Sequence, residues 1–355
     1  MQATWSVKIE EQLLNNFSTQ LWIPLNFRFL LNGFVAQFCH FYYRVMGAYS
    51  APEERIASYI SQLNLNEQKV AIVTGANTGI GFETARALGK AGYRVILACR
   101  SQMKAEKAIG EILKDYPTSN LKFMELDLAS FNSVRRFAEK FNEQETQLDL
   151  LINNAGIMIL PTYQETEDGN EMQYQVNYLS TFLLTRLLIS KLKAAKQSKI
   201  INLSSLAHYN AGECDFSTVN NKESYCPNTS YCLSKAALIM MTYSLNKKLA
   251  DSDIKAYAVH PGIVHTELLR YRSVLYFFSN IVGKYMIKSA LEGALTVIRL
   301  SLVSEEGSQD IADPSIYYTD DLPMQPLVWT RDQANQESLW RETSKALCLD
   351  ESLSS

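Results

Sequence analysis

No two of the six cysteines (Cys39, Cys99, Cys214, Cys226, Cys232 and Cys348) form a Cys-x-x-Cys pair. A thiol metal site or a disulfide framework is therefore not expected, and reduced thiols are the default. The four histidines are dispersed as well. His260 and His265 flank a Pro-Gly turn, a spacing that fits no common zinc site, so no metal is expected. An excess of one charge is also lacking. A net charge of −3 over 355 residues offers nothing to hold a nucleic acid by bulk electrostatics. There is no internal repeat and no low-complexity tract. Nor is there an apolar run that spans a bilayer comfortably: the uncharged stretch Phe29 to Tyr43 has about 15 residues, against the ~20 needed.

What is present starts with an unusual N-terminal segment. From Leu21 to Tyr49 the chain is rich in Leu, Phe and Tyr, with Arg28 and Arg44 as its only charges. A cleaved signal peptide fits poorly, because Lys8 is followed by Glu10 and Glu11 and the apolar part starts late. Three readings fit. One is a tilted or re-entrant membrane anchor, helped by Trp22, Tyr42 and Tyr43 near its ends, where aromatics favour the headgroup level. The others are a helix packed on the soluble domain and a contact helix of a homodimer. Residues 1–50 are thus a segment apart, Pro52 to Gln68 is polar and reads as a linker, and a single domain follows over residues 69–355.

In that domain short apolar runs alternate with helical patterns. Strands are expected at Lys69 to Gly75, Arg94 to Ala98, Leu121 to Leu126, Leu148 to Ile152, Ser198 to Leu203, Lys255 to Val259 and Tyr317-Tyr318. Helices are expected at Phe82 to Ala91, Lys104 to Tyr116, Val134 to Phe141, Tyr174 to Lys193, Ser230 to Leu249, Glu292 to Leu302 and Gln336 to Leu347. This alternation predicts an α/β fold with a doubly wound parallel sheet.

Chemistry collects at the strand ends. The segment Thr74-Gly75-Ala76-Asn77-Thr78-Gly79-Ile80-Gly81 joins the first strand to its helix. Glycines there allow a tight turn, and a helix N-terminus receives a pyrophosphate. The spacing is Gly-x-x-x-Gly-x-Gly rather than the commoner Gly-x-Gly-x-x-Gly. After the second strand stands Ala98-Cys99-Arg100-Ser101, with no carboxylate to accept from a ribose 2′-hydroxyl. Arg100 can pair with a 2′-phosphate, which favours NADP over NAD as the cofactor. Asp127, after the third strand, fits either a contact to adenine or a helix N-cap. Tyr231 and Lys235 lie one helical turn apart, where an ammonium lowers a phenol pKa and suits the phenol to proton transfer.

Together, Thr74 to Gly81, Asn153 to Gly156, Ser205, Tyr231 with Lys235, and Pro261-Gly262 resemble the motifs of the short-chain dehydrogenase/reductase family, in its order, over Lys69 to Leu268. Arg100, Leu151 to Met158, Val176 to Phe182 and Ser204 to His208 resemble its retinol dehydrogenase branch. The Asn-Tyr-Leu helix segment and Leu339-Trp340 are also similar to polyprenol dehydrogenases of that neighbourhood.

The resemblance implies a Rossmann domain that interconverts an alcohol and its carbonyl with NADP or NAD. It makes Tyr231 the acid/base, Lys235 the residue that lowers its pKa and bonds the nicotinamide ribose, and Ser205, rather than Ser204, the holder of the substrate oxygen. Asn177 would hold a relay water through its backbone. Gly75, Asn77, Thr78, Gly79, Ile80, Gly81, Asn154, Ala155, Gly156, Pro261, Gly262, Ile263 and Thr266 would line the cofactor. The separation of Ser205 from Tyr231, 26 residues, is about twice that usual in the family.

The partner implied is a small-molecule apolar alcohol or carbonyl with a long chain, a retinoid or polyisoprenoid for choice and a steroid less so. A small-carbonyl reductase and a cofactor-binding scaffold without turnover are the alternatives. Leu268 to Ile287, aromatic and basic, suits either a membrane surface or a packed helix. Membrane association is expected, at the endoplasmic reticulum or a lipid droplet.

Overall fold

The run Val70–Thr74 (β1) has all five residues buried, and its side chains divide by parity. Ile72 joins one hydrophobic cluster, with Ile96 and Leu151, while Ala71 and Val73 join another with Val95 and Leu97. A strand that is apolar on both faces needs cover on both, and a parallel sheet between two helical layers supplies it. The computed structural model describes residues 51–63, 67–212, 214–264, 288–303, 316–319 and 321–353. The apolar segment 21–49, the stretch 268–287 and Thr266 lie outside them. Among the described residues no helix is long and apolar enough to cross a membrane.

The sheet runs in the order β3-β2-β1-β4-β5-β6-β7-β8. Its strands are β1, β2 (Arg94–Cys99), β3 (Asn120–Glu125), β4 (Leu150–Asn153), β5 (Lys199–Leu203), β6 (Lys255–His260), β7 (Tyr317–Thr319) and β8 (Leu322–Pro323). All neighbouring pairs are parallel except β7 with β8. The order reverses at β1 and β4, so their C-terminal ends open a crevice where ligands bind in such sheets. This is the expected doubly wound Rossmann architecture. The antiparallel β8 was not anticipated: two residues carry too little pattern to read.

The expected linker is partly a helix. Pro52–Ser61 (α1) starts with a proline in its first turn and buries Ile56. Arg55 forms an ion pair with Asp321, which also pairs with Arg299 at 3.1 Å. Burial works against the Asp321 carboxylate, but Arg299 and Arg55 outweigh it and hold its pKa below the usual value. One of the charges that made this segment look like solvated linker, Arg55, is therefore its docking contact, while Glu53 and Glu54 are exposed.

The helices α2 (Gly79–Lys90), α3 (Gln102–Asp115) and α4 (Phe131–Gln144) follow their strands as expected. The long helix expected from Tyr174 to Lys193 is broken into pieces. The first helix, α5, comprises Met172–Tyr174, a π turn at Gln175–Leu179 and Ser180–Leu187; α6 (Ile189–Ala194) follows after a break at Leu188. π turns often mark functional sites, and this one contains Asn177. The longest helix among the described residues, α7 (Pro227–Lys248), begins three residues before its expected start, on a proline in its first turn. Two more complete the fold: α8 (Ala290–Leu302), opened by a Ser289–Glu292 capping box, and α9 (Gln333–Ala346). Leu339 and Trp340 are buried on α9, with Trp340 edge-on to Phe182 at 4.7 Å. Their role is packing.

Candidate active site

At the end of β1 the chain must turn sharply into α2. Gly75 (φ 65°) and Gly79 (φ 59°) take the left-handed backbone that this requires. Gly81 serves a different purpose. A Cβ there would lie 2.5 Å from Asn154 Nδ2 and 2.5 Å from the Gly75 carbonyl oxygen. The N-terminus of α2 has no side-chain cap and no acid in its first turn, so its free N–H groups suit a pyrophosphate. Thr78 is exposed there, and Asn77 partly so. The Ile80 side chain is buried, with Cγ1 3.4 Å from where a Gly293 Cβ would stand, so any cofactor contact there falls to its backbone N–H in the first turn of α2. The side chain packs α2 against α8.

The turn after β4 is pinned to this one. Asn154 N–H donates to Thr74 Oγ1 at 3.0 Å, Asn154 Nδ2 to the Thr74 carbonyl at 2.8 Å, and Ala155 N–H to Thr74 Oγ1 at 2.9 Å. Asn153 points elsewhere, donating to Asn202 Oδ1 on β5 at 2.8 Å. Gly156 is a close-approach glycine, since a Cβ there would stand 3.1 Å from Asn177 Oδ1 and 3.4 Å from Lys235 Nζ. One missing side chain thus lets β4, α5 and α7 converge.

The four expected catalytic residues meet at this point. Asn177 exchanges two hydrogen bonds with the Ile157 backbone, at 2.8 and 3.0 Å, and donates to Ser234 Oγ at 3.0 Å. Lys235 Nζ donates to the Leu203 carbonyl at 2.8 Å and lies 5.7 Å from the centre of the Tyr231 ring. The Ser205 side chain lies close enough to the Tyr231 hydroxyl to lower its pKa, and its Oγ accepts from Ala207 N–H at 3.1 Å. His208 holds the serine from below, its Nδ1 bonded to the Ser205 carbonyl at 2.7 Å and its Nε2 accepting from Leu327 N–H at 3.2 Å.

Electrostatics modify the expectation for the tyrosine. Burial pushes its pKa up to about 12, opposed by the neighbouring Ser205 hydroxyl. Burial also brings Lys235 down to about 8. In the protein alone desolvation dominates both groups, because neither charged form is well solvated there. The phenol therefore keeps its proton across the physiological range and is poised to give it to an oxygen that gains negative charge.

Arg100 is exposed at the C-terminal edge of the sheet, just past β2. Asp127 is not the cap of α4: Ser130 is, accepting from Ser133 N–H at 3.3 Å. Asp127 Oδ1 accepts from Ala129 N–H at 3.0 Å instead, a local turn contact. Pro261 and Gly262 (φ 85°) follow β6, and Ile263 is 44% exposed beside them. Thr74, Ser234 and the Leu203 carbonyl escaped sequence reasoning. A threonine hydroxyl that ties two turns, or a backbone acceptor, carries no motif of its own.

Glycine turns at an open helix N-terminus, an arginine at the sheet edge, and buried Tyr231, Lys235 and Asn177 beside a half-buried Ser205 fit a nicotinamide dinucleotide, and these features define an α/β oxidoreductase. Residues 69–273 match the short chain dehydrogenase family model, and the chain belongs to that family. Such enzymes act on alcohols with NAD(P).

Among curated relatives, human retinol dehydrogenase 12 is 39% identical over 279 residues, covering 79% of this chain and 86% of its own length. Mouse retinol dehydrogenase 11 is 42% identical over 280 residues, covering 79% and 85%. Human retinol dehydrogenase 13 is 41% identical over 288 residues, with the same coverage, 79% and 85%. These place the chain in the retinol dehydrogenase-like branch. An uncharacterised protein of known structure from Mycobacterium Paratuberculosis is similar at 30% identity and a TM-score of 0.63, over 82% of this chain and 97% of that one.

Proposed function

We propose that the protein is an NADP-dependent, membrane-associated oxidoreductase that interconverts a long apolar alcohol, a retinoid or a polyisoprenoid, with its carbonyl. The observation that carries the reading is the convergence of Ser205, Tyr231, Lys235 and Asn177 at the sheet's C-terminal edge. Relatives named as retinol dehydrogenases, 39–42% identical over most of the chain, support the substrate class. The absence of a carboxylate after β2, with Arg100 exposed in its place, supports the 2′-phosphorylated cofactor.

The cofactor, when bound, supplies or accepts a hydride at the alcohol carbon. Gly75, Asn77, Thr78, Gly79, Gly81 and Arg100 would hold its phosphates and adenosine end. Asp127 would reach the adenine; Asn154, Ala155, Gly156, Pro261, Gly262, Ile263 and Thr266 would line the rest. The protein's own part is to orient one oxygen and to manage one proton. The Ser205 hydroxyl bonds the substrate oxygen, and Tyr231 gives it a proton during reduction or takes one during oxidation. Reduction suits the phenol as it stands, whereas oxidation needs the tyrosinate, which the Lys235 ammonium favours.

Membrane association is supported by the composition of Leu21 to Tyr49 and Leu268 to Ile287, and the endoplasmic reticulum or a lipid droplet surface suits such a substrate. The test is a turnover screen in liposomes. Retinoids, polyprenols, dolichols, steroids and short aldehydes are each offered with NADPH and NADH. The expected result is a much higher kcat/KM for long-chain retinoid or isoprenoid substrates with NADPH. Equal kcat/KM for short aldehydes would turn the reading toward a general carbonyl reductase. Cofactor binding without turnover of any compound would turn it toward a scaffold.

A further inference from the structure

Just before the π turn lies a carboxylate that the reaction as described does not use. Glu171 is fully buried. Its carboxylate accepts from Gln173 N–H at 3.0 Å and Tyr174 N–H at 2.7 Å, capping α5. It also accepts from the hydroxyl of Ser230. Two of these donors are peptide groups and one is an alcohol, so the charge rests on hydrogen bonds rather than on a cation. Capping alone does not call for glutamate, since Ser, Thr, Asn and Asp are the preferred caps. The longer side chain reaches a second helix.

That helix is α7, and the bond falls next to Tyr231. Ser230 and Ser234 stand four residues apart on one face of α7, and both bond to α5: Ser230 to Glu171, and Ser234 to Asn177 at 3.0 Å. Tyr231 and Lys235 form the neighbouring pair with the same spacing. Two links one turn apart fix the rotation of α7 about its own axis, and so the direction in which Tyr231 and Lys235 project.

The same corner pins the long segment between Ser205 and Tyr231. Glu171 N–H donates to Asn220 Oδ1 at 2.8 Å, and Gln173 Nε2 donates to the Tyr225 hydroxyl at 3.0 Å and to the Pro227 carbonyl at 3.2 Å. Tyr225 in turn donates to the Leu160 carbonyl at 2.9 Å.

We infer that Glu171, through Ser230, is a positioning residue that sets the orientation of Tyr231 and Lys235 against Asn177; the inference rests on the catalytic reading of those residues. Three variants test it: Ser230→Ala removes the bridge and leaves the cap, Glu171→Asp keeps a capping carboxylate that falls one methylene short of Ser230, and the double variant combines them. With retinaldehyde and NADPH, each single change is expected to lower kcat by about 10- to 100-fold, the scale of a small misplacement at the reacting centre. NADPH affinity should stay near that of the parent protein. The double variant should be no worse than either single one, because both break one bond.

A general loss of structure would instead lower NADPH binding and folded fraction together. Parent-like kcat in Ser230→Ala, with Tyr231→Phe inactive, overturns the positioning role while leaving the catalytic reading intact. Parent-like kcat in Tyr231→Phe overturns both.

Discussion

The Ser204 hydroxyl donates to the backbone carbonyl of Lys235 at 2.8 Å, while its neighbour Ser205 stands beside the Tyr231 hydroxyl and lowers its pKa. Two adjacent serines therefore have separable roles, one structural and one chemical. Ser204→Ala should cost about 1 kcal/mol of stability, the usual worth of a buried hydrogen bond, and should keep turnover. Ser205→Ala should fold and bind cofactor but lose about 100- to 1000-fold in kcat, the scale for removing one donor to a developing oxyanion. Chemical denaturation and steady-state kinetics on the pair check this. Reversed effects would exchange the assignments.

Arg100 gives a second prediction. It is exposed at the sheet edge, in the position where an acid would select the unphosphorylated cofactor. Arg100→Ala should weaken NADPH binding by about 10- to 100-fold, the loss of a charge-assisted bond, and leave NADH binding nearly unchanged. Titration by quenching of protein fluorescence reads both affinities. Equal weakening of the two cofactors would remove the phosphate role.

Gly81 gives a third. The Cβ of Gly81→Ala would meet Asn154 Nδ2 and the Gly75 carbonyl oxygen, both at 2.5 Å. The second of these is backbone in the turn proposed to hold the phosphates, so it cannot swing aside as a side chain would. The variant should lose about 1–3 kcal/mol of stability, as overpacking does, and should bind NADPH more weakly than its remaining folded fraction explains. Thermal unfolding with and without NADPH separates the two effects; unchanged cofactor stabilisation would refute the second.

These positions show which parts of the site can be read from a chain. Gly75, Gly81, Tyr231 and Lys235 are legible because backbone geometry or proton chemistry restricts the residue type at a fixed spacing. The strands are legible because burial on both faces writes them as apolar runs. Glu171 is not legible: it lies in a polar stretch that looks solvated, and only the fold reveals that Thr166, Glu171, Gln173 and Gln175 are all buried and bonded to one another or to neighbouring segments. The break-up of the helix around Asn177 is hidden for a related reason. The π turn coincides with a tertiary contact, the Asn177 side chain's bonds to Ile157, of which local pattern carries no trace. The helix at Pro52–Ser61 reads as linker because what docks it, the pairing of Arg55 with Asp321, joins residues far apart in the chain.

The histidines yield a last prediction, on acid stability. His208 and His260 are buried, and burial lowers their pKa values to about 4 and about 3; Lys288, His208 and Lys235 add repulsion at His260, while the Ser205 carbonyl opposes the shift at His208. His208 is packed between Tyr209 and Tyr317, and the Nδ1 of His260 has no hydrogen-bond partner among the described residues. In the unfolded chain both would titrate near 6.5. Between about pH 6.5 and 4 the unfolded state therefore binds two protons that the folded state refuses. The stability these neutral rings contribute is fully present above pH 6.5 and is lost as pH falls below it, at about 1.4 kcal/mol per pH unit for each proton. Carboxylates with ordinary pKa values contribute little to the slope above pH 5, so denaturant midpoints measured from pH 7 to 5 isolate the effect. His260→Asn should remove about half of the slope. A midpoint that does not move over that range would show that the folded protein accepts these protons.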